Sequence, residues 1–432
     1  MDTPQPLPHA PTSLAWSAPQ RHGFRFLALY FLLYALPFPL EFIPGPSLLA
    51  ALYVEAWNAV IPWVGSTILG IDYEIPLAPT GSGDTTADYV KLFSVFVLAT
   101  AGSSLWSLLD RRPSHPKLAA WLVVYARYWL GATMIGYGFA KLFLLQFPAP
   151  DAFRLMEPYG ESSPMGLVWA FMGQSPAYQF FGGAVEAVGG MLLFWRRTTT
   201  LGALAIVGAM TNVVMLNFGY DVPVKLFSSH LLLTAVALAS LDGRRLLGML
   251  LGRAVPAREV PPVLDGRRGR WVRRVGKAVF VVGLLVLHTV MSMSASTERG
   301  PGAPRPPLYG VYEVTSHTRD GVEQAVLASD PPALHHVSFA LYDRLVLWPI
   351  RGEARRFSVE IDQEAGTLVL TSREPGVEPQ SLRFHAPGAD TLVVEGTLDG
   401  SEQRLTLHRI DDQAMRLPSR GFHWINETPY NR

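Results

Sequence analysis

Two cations stand inside an apolar run long enough to cross a bilayer. Residues 117–147 read KLAAWLVVYARYWLGATMIGYGFAKLFLLQF, with Arg127 near the middle and Lys141 toward the far end. A charge at the bilayer centre costs ~2.5–3.5 kcal/mol on insertion scales, so it turns to other helices or to water and takes a partner. At 3.6 residues per turn Arg127, Gly131, Met134, Gly138 and Lys141 share one stripe. Small residues beside the two cations predict an inward-facing helix. One carboxylate stands at comparable depth: Glu186, between Gly182-Gly183 and Gly189-Gly190. Gly182, Glu186 and Gly190 follow an i, i+4, i+8 spacing that permits close helix approach. An Arg127–Glu186 pair would neutralise both charges. It would either fix helix register or exchange a proton with a bound group, which makes the two residues the catalytic candidates.

A second polar cluster gathers near the outer face. Lys141 ends its run, Asn212 and Asn217 come late in 199–218, and Asp221 and Lys225 open 222–241, with Ser228, Ser229 and His230 deeper. Asp221 and Lys225 are i, i+4 and can pair, which leaves Lys141 without an assigned anion. If these helices are neighbours, Lys141, Asn212, Asn217, Asp221, Lys225 and Tyr137 form an outward-opening site for an anionic or carbonyl-bearing ligand. If they are not, Lys141 and Lys225 reach to headgroups instead. Arg154, Glu157 and Tyr159 can form a lid over such a site.

The elements that must position these residues are membrane spans. The 432 residues are 49% hydrophobic and 16% charged, the make-up of a polytopic membrane protein. A net charge of +1 gives no general reason to expect nucleic acid, and the absence of cysteine excludes disulfides and thiolate metal sites. Residues 1–20 read as a flexible tail. The spans fall at 26–43, 89–109, 118–145, 178–195, 199–218, 222–241 and 278–293. Residues 71–90 carry four acids and no Lys or Arg, whereas 242–277 carry ten Lys/Arg against three Asp/Glu. The positive-inside rule then puts the N-terminus in the cytoplasm and the C-terminus outside. It also makes 47–70 a helix on the outer face, with Trp57 and Trp63 at headgroup level.

From about residue 306 the period changes to two. Segments such as YGVYEVTS, HVSFALYD, RLVLWPI, RRFSVEI, GTLVLTS and DTLVVEG alternate, separated by turn residues such as Asp343-Arg344, Glu364-Ala365-Gly366 and Asp399-Gly400. About eight strands predict a small antiparallel barrel or sandwich, filled by its own side chains or shaped as a shallow cup, the alternative being a barrel that holds one apolar ligand. In the tail RGFHWINETPYNR, Phe422, Trp424 and Tyr430 are expected on the barrel or on the membrane, and His423 and Trp424 as packing residues.

Other motifs carry less. TGSGDTTADYV lacks the GxxxxGK[ST] of a P-loop and reads as a turn with an N-cap near Thr85 or Thr86; alternatively, Asp84 and Asp88 line the pocket mouth or bind a cation. His335-His336 are adjacent, so on a strand they face opposite ways and make a poor metal pair. No metal site is expected.

RYWLGATMIGYGFAKLF, FGGAVEAVGGMLLFW and TNVVMLNFGYDVPVKLFSSHLL resemble segments of DoxX-like membrane proteins. TGSGDTTADYV, SSPMGLVWAFMG and RGFHWINETPYNR resemble markers of long bacterial members with an added C-terminal domain. The resemblance implies a four-helix membrane core at about 117–242 within a helical domain at 21–298. A β-domain at 299–418 and a tail at 419–432 follow. It further implies an inner-membrane protein with a periplasmic β-domain, and an association with quinone as part of a redox system. Arg127 and Glu186 would then contact the quinone or its proton, and Tyr125, Tyr128 and Tyr137 would line the site. A transporter or lipid-handling protein, and an assembly factor that docks a redox or other periplasmic partner, are the alternatives.

Overall fold

The computed structural model describes residues 15–42, 48–256, 264, 266–324, 332–372 and 376–430. Residues 1–14 of the expected tail lie outside these, and helix already begins at Ala18. Packing divides the chain into two units: Met1–Leu142 with Phe181–Ser292, and Phe143–Phe180 with Met293–Arg432.

The helices are α1 (Ala18–Ala35), α2 (Leu48–Trp63), α3 (Thr86–Leu109), α4 (Pro116–Leu142), α5 (Ala152–Met156), α6 (Pro164–Gln174), α7 (Pro176–Leu193), α8 (Thr199–Gly219), α9 (Lys225–Ser240), α10 (Gly243–Leu250), α11 (Gly266–Arg299) and α12 (Arg416–Ser419). Among the described residues, five helices are long and apolar enough to cross a membrane: Leu48–Ile68 (α2 with its terminal π turn), α3, α4, α8 and α11. A sixth is possible if α9 and α10, bent by 71°, act as one span. These are the parts of a multi-pass membrane protein. The set differs from the seven expected spans at both ends of the hydropathy scale. α1 carries Arg21, His22 and Arg25, and α7 carries Gln179, Glu186 and four glycines, so neither is apolar enough by composition. The segment expected to lie on the outer face is long and apolar enough to span. Its Trp57 is buried against Ile61, Val64, Val90 and Val95, while Trp63 is 58% exposed.

The helical core forms where α4 meets its neighbours. Trp129, Leu130, Met134 and Ile135 of α4 pack with Leu193, Phe194, Ile206, Leu231 and Leu284. The stripe Arg127, Gly131, Met134, Gly138 and Lys141 is buried along its whole length, as the periodicity predicts.

The second unit holds the barrel. Its strands are β1 (Gly310–Arg319), β2 (Val322–Glu323), β3 (Leu334–Ala340), β4 (Arg344–Pro349), β5 (Arg355–Asp362), β6 (Thr367–Ser372), β7 (Gln380–Gly388), β8 (Thr391–Leu398) and β9 (Ser401–Ile410). The antiparallel order β1-β3-β4-β5-β6-β7-β8-β9 closes through β1–β9, giving an eight-stranded barrel with β2 as a short ribbon on β1. Phe339, Leu347, Phe357, Leu368, Leu370, Leu392 and Leu407 fill the interior, as expected for a barrel of this strand number. Asp399 and Gly400, at φ 55° and 79°, make the two-residue turn between β8 and β9.

Strands β1, β3 and β4 are buried on their outer side as well, β1 through Val311, which packs with Ala152. Phe153 of α5 stacks on Trp348, with ring centroids 5.7 Å apart, and packs with Ala340 and Val346. Asp151, the N-cap of α5, accepts from Arg344 of β4 at 2.8 Å. Arg154 pairs with Glu157, and Arg356 of β5 lies 3.8 Å from that carboxylate. Two of the three residues expected as a lid are thus tied to each other, and Glu157 also to β5, while Tyr159 is 82% exposed.

Two further expectations change. The rings of His335 and His336 lie 3.9 Å apart, because a bulge between Leu334 and His336 breaks strict alternation. No group of three metal-ligating side chains occurs among the described residues. In the tail, Trp424 is 90% and Phe422 78% exposed and meet edge to face; His423 is exposed too. No regular element runs through this segment to hold them against a core.

Candidate functional site

The antiparallel contact of α4 with α7 sets the positions of the buried charges. Gly138 meets Gly183, and roughly two turns along each helix Gly131 meets Gly190. A Cβ on Gly138 would lie 2.7 Å from the Gly183 carbonyl oxygen, and a Cβ on Gly190 2.7 Å from that of Gly131. In this register Arg127 and Glu186 stand about 12 Å apart along the axis. The expected Arg127–Glu186 pair does not form.

Lys141 takes the carboxylate instead, donating from Nζ to Glu186 Oε2 at 2.6 Å, with both side chains buried. Side chains lean toward their own helix N-terminus. In antiparallel helices Lys141 and Glu186 therefore lean toward each other, and Arg127 and Glu186 lean apart. Arg127 donates from Nε and Nη2 to Leu193 O, at 2.8 and 2.6 Å. It thus satisfies a carbonyl at the C-terminal end of α7, where a cation is favourable.

The outer cluster resolves into separate contacts. Asn217 donates to Ser228 Oγ at 3.0 Å. Lys225 pairs with Asp221 at 2.8 Å, as its spacing predicts. Asn212 lies on an exposed face of α8, and Tyr137 has its ring 5.8 Å from Lys141 Nζ. Of the three tyrosines expected to line one site, Tyr125 instead donates to Phe38 O at 2.8 Å and Tyr128 packs at a tilt against the rings of Phe194 and Phe280.

The glycine loop before α3 has a definite task. Thr85 caps α3 in a reciprocal box with Asp88. Asp84 reaches across to α9 and accepts from the backbone N–H of Lys225 and Leu226, at 2.8 and 2.9 Å. The residue preceding α9 is Val224, which has no capping oxygen, so a carboxylate from another segment supplies it.

This loop helps close a cavity of about 350 Å³ between α1, α3, α4 and α9. Tyr34, Trp129 and Phe227 give it aromatic walls; Asp88, Lys91 and Thr133 give it polar ones. Lys91 Nζ sits 5.4 Å above the Tyr53 ring and 5.5 Å above that of Trp57. Behind Tyr34, His230 stacks at 4.0 Å. Its Nδ1 faces Leu226 O at 2.7 Å, so it carries the proton, and Nε2 accepts from Tyr30 O–H at 2.7 Å. Sequence reading passed over Tyr34, Lys91 and Trp129. The available signal was Lys91, a lone cation one turn into an apolar run and three residues after Asp88.

The chain is similar to the protein described as "Uncharacterized protein YwoB" from Bacillus subtilis (strain 168). Identity is 27% over 143 residues, covering 31% of this chain and 85% of that protein. No family model and no solved structure matches the chain.

Proposed function

We propose that the chain is a DoxX-like inner-membrane protein that holds the carbonyl-bearing headgroup of a quinone, as a component of a redox system. The carrying observation is the cavity of about 350 Å³ between α1, α3, α4 and α9. Its volume is in the range of small-ligand sites, and its apolar walls with a few convergent polar groups match their usual make-up. A quinone ring is flat and apolar, with an acceptor oxygen at each end. Trp129, Phe227 and Tyr34 offer ring contacts. The Lys91 ammonium and the Tyr34 hydroxyl offer donors to the carbonyls. Lys141–Glu186 and Arg127–Leu193 then act as the frame that fixes α4 beside this cavity. In this reading the N-terminus is cytoplasmic, and the barrel is periplasmic, where a redox partner would meet it.

The test is a titration of the purified full chain in detergent with a short-chain quinone, read by fluorescence quenching. Saturable binding is expected, weakened about tenfold in Lys91→Met, which corresponds to about 1.4 kcal/mol. Tyr159→Ala, on an exposed loop, should leave it unchanged. Linear, unsaturable quenching, or equal affinity in Lys91→Met, would remove the proposal.

A further inference from the structure

A second, larger cavity of about 1150 Å³ lies within the helical unit, between α4, the turn after α7 and the N-terminal half of α11. Six cations line it: Arg127, Arg196, Arg197, Arg273, Arg274 and Lys277. No carboxylate does so among the described residues. The rest of its wall is apolar and aromatic, including Tyr128, Phe194 and Val281. So many like charges around one apolar space repel one another, and the repulsion falls when an anion enters.

Arg127 gives the cavity a fixed floor. It is 5% exposed, and only two of its five N–H donors go to Leu193 O through Nε and Nη2. Lys277 is held at the rim, with Nζ 5.6 Å from the Trp195 ring centroid. Arg196-Arg197 approach from the α7–α8 turn and Arg273-Arg274 from α11, so basic groups converge from two elements. The volume far exceeds what a bare phosphate needs, and α4 and α11 are both helices suited to a membrane. A ligand that suits both the cations and the apolar wall is an anion attached to hydrocarbon.

We propose that this cavity binds the phosphate headgroup and adjoining acyl region of an anionic phospholipid. Guanidinium groups would take the phosphate oxygens, and the apolar wall would take the start of the chains. Basic pockets between membrane helices recognise lipid headgroups by this combination. The inference does not depend on the quinone reading, because the two cavities share no lining residue.

The test is native mass spectrometry of the full-length protein in detergent, titrated separately with phosphatidylcholine, phosphatidylglycerol and cardiolipin. Inorganic phosphate and glycerol 3-phosphate serve as soluble competitors. The expected result is saturable binding of the anionic lipids at least tenfold tighter than phosphatidylcholine. Arg273→Gln/Arg274→Gln should reduce that preference at least tenfold. The charge-matched Arg268→Gln/Arg270→Gln, on the same helix but off the cavity lining, should keep it. Should the double variant fold poorly, Lys277→Gln alone is expected to weaken anionic-lipid binding severalfold at an unchanged melting temperature. Equal affinity for zwitterionic and anionic lipid, or no response to any cavity variant, would overturn the proposal. Millimolar soluble phosphate displacing the lipid would overturn the amphiphile assignment and leave a plain phosphate site.

Discussion

Lys141 and Glu186 meet at 2.6 Å with both side chains buried. Breaking such a pair by removing one partner typically costs ~3–5 kcal/mol, whereas replacing both by apolar residues of similar size is often neutral. Glu186→Leu should therefore lower the unfolding free energy in mixed micelles by several kcal/mol. Lys141→Met/Glu186→Leu should recover most of that loss. Equal destabilisation in the single and double variants would show that the carboxylate has another task. A second residue-scale expectation concerns pH. His317 in the barrel donates from Nε2 to Gln403 at 3.0 Å, and its Nδ1 accepts from Leu334 N at 3.4 Å. Burial, and next the Arg319 charge, push its pKa below the ordinary 6.5, against the raising effect of Gln403. Burial, then the neighbouring His335, do the same to His336. The folded barrel thus binds protons less readily than the unfolded chain. No penalty exists above pH 6.5, and one grows as pH falls from there toward the lowered folded-state values. Exchange protection of β1 and β9 amides, corrected for intrinsic rate, should fall between pH 7 and pH 5, and His317→Leu should flatten that fall.

At the scale of elements, helix approach distance carries the energetics. Without a hydrophobic force between membrane helices, association depends on close backbone packing. Gly138 is a direct test, because a Cβ there would also meet Ala187 Cβ at 2.8 Å. Gly138→Ala should destabilise the protein by about 1–3 kcal/mol. Gly208 of α8 has nothing within 4 Å of its Cβ position, so Gly208→Ala should stabilise by about 0.5–1 kcal/mol. Both are read as melting temperature in one detergent. What the sequence disclosed at this scale was the inward stripe of α4, the cap at Thr85, the Asp221–Lys225 pair and the strand turns. Each is set by residues close together in the sequence. It did not disclose the partner of Glu186, because that depends on the offset of two helices. Depth counted from span ends misjudged that offset by roughly two turns, about 12 Å. The Tyr34–Lys91–Trp129 cavity stayed hidden for the same reason: its walls come from four helices, and no one of them carries a recognisable motif. His335-His336 shows the converse case. Alternation was the right rule for the strand, and a single bulge cancelled it at that position.

At the scale of the molecule, a set of long apolar helices and a closed barrel of eight strands share one chain, and each unit has its own core. The barrel interior is taken up by side chains such as leucine, valine and phenylalanine. In the helical unit the charges fall into three sets, one of them the cations that line the larger cavity beside Arg127. Lys141 and Arg127 hold α4 against α7 through a carboxylate and a carbonyl, and Lys91 belongs to a cavity with aromatic walls. The central claim is that this cavity takes a quinone headgroup. The most direct measurement is photo-crosslinking of the full-length protein with an azido-quinone, followed by peptide mapping, with and without excess unlabelled quinone. The account predicts labelling confined to peptides of α1, α3, α4 and α9, centred on Tyr34, Lys91, Trp129 and Phe227, and abolished by the competitor. Labelling spread over exposed faces such as Met215 and Phe218 of α8, and unaffected by competitor, would contradict it.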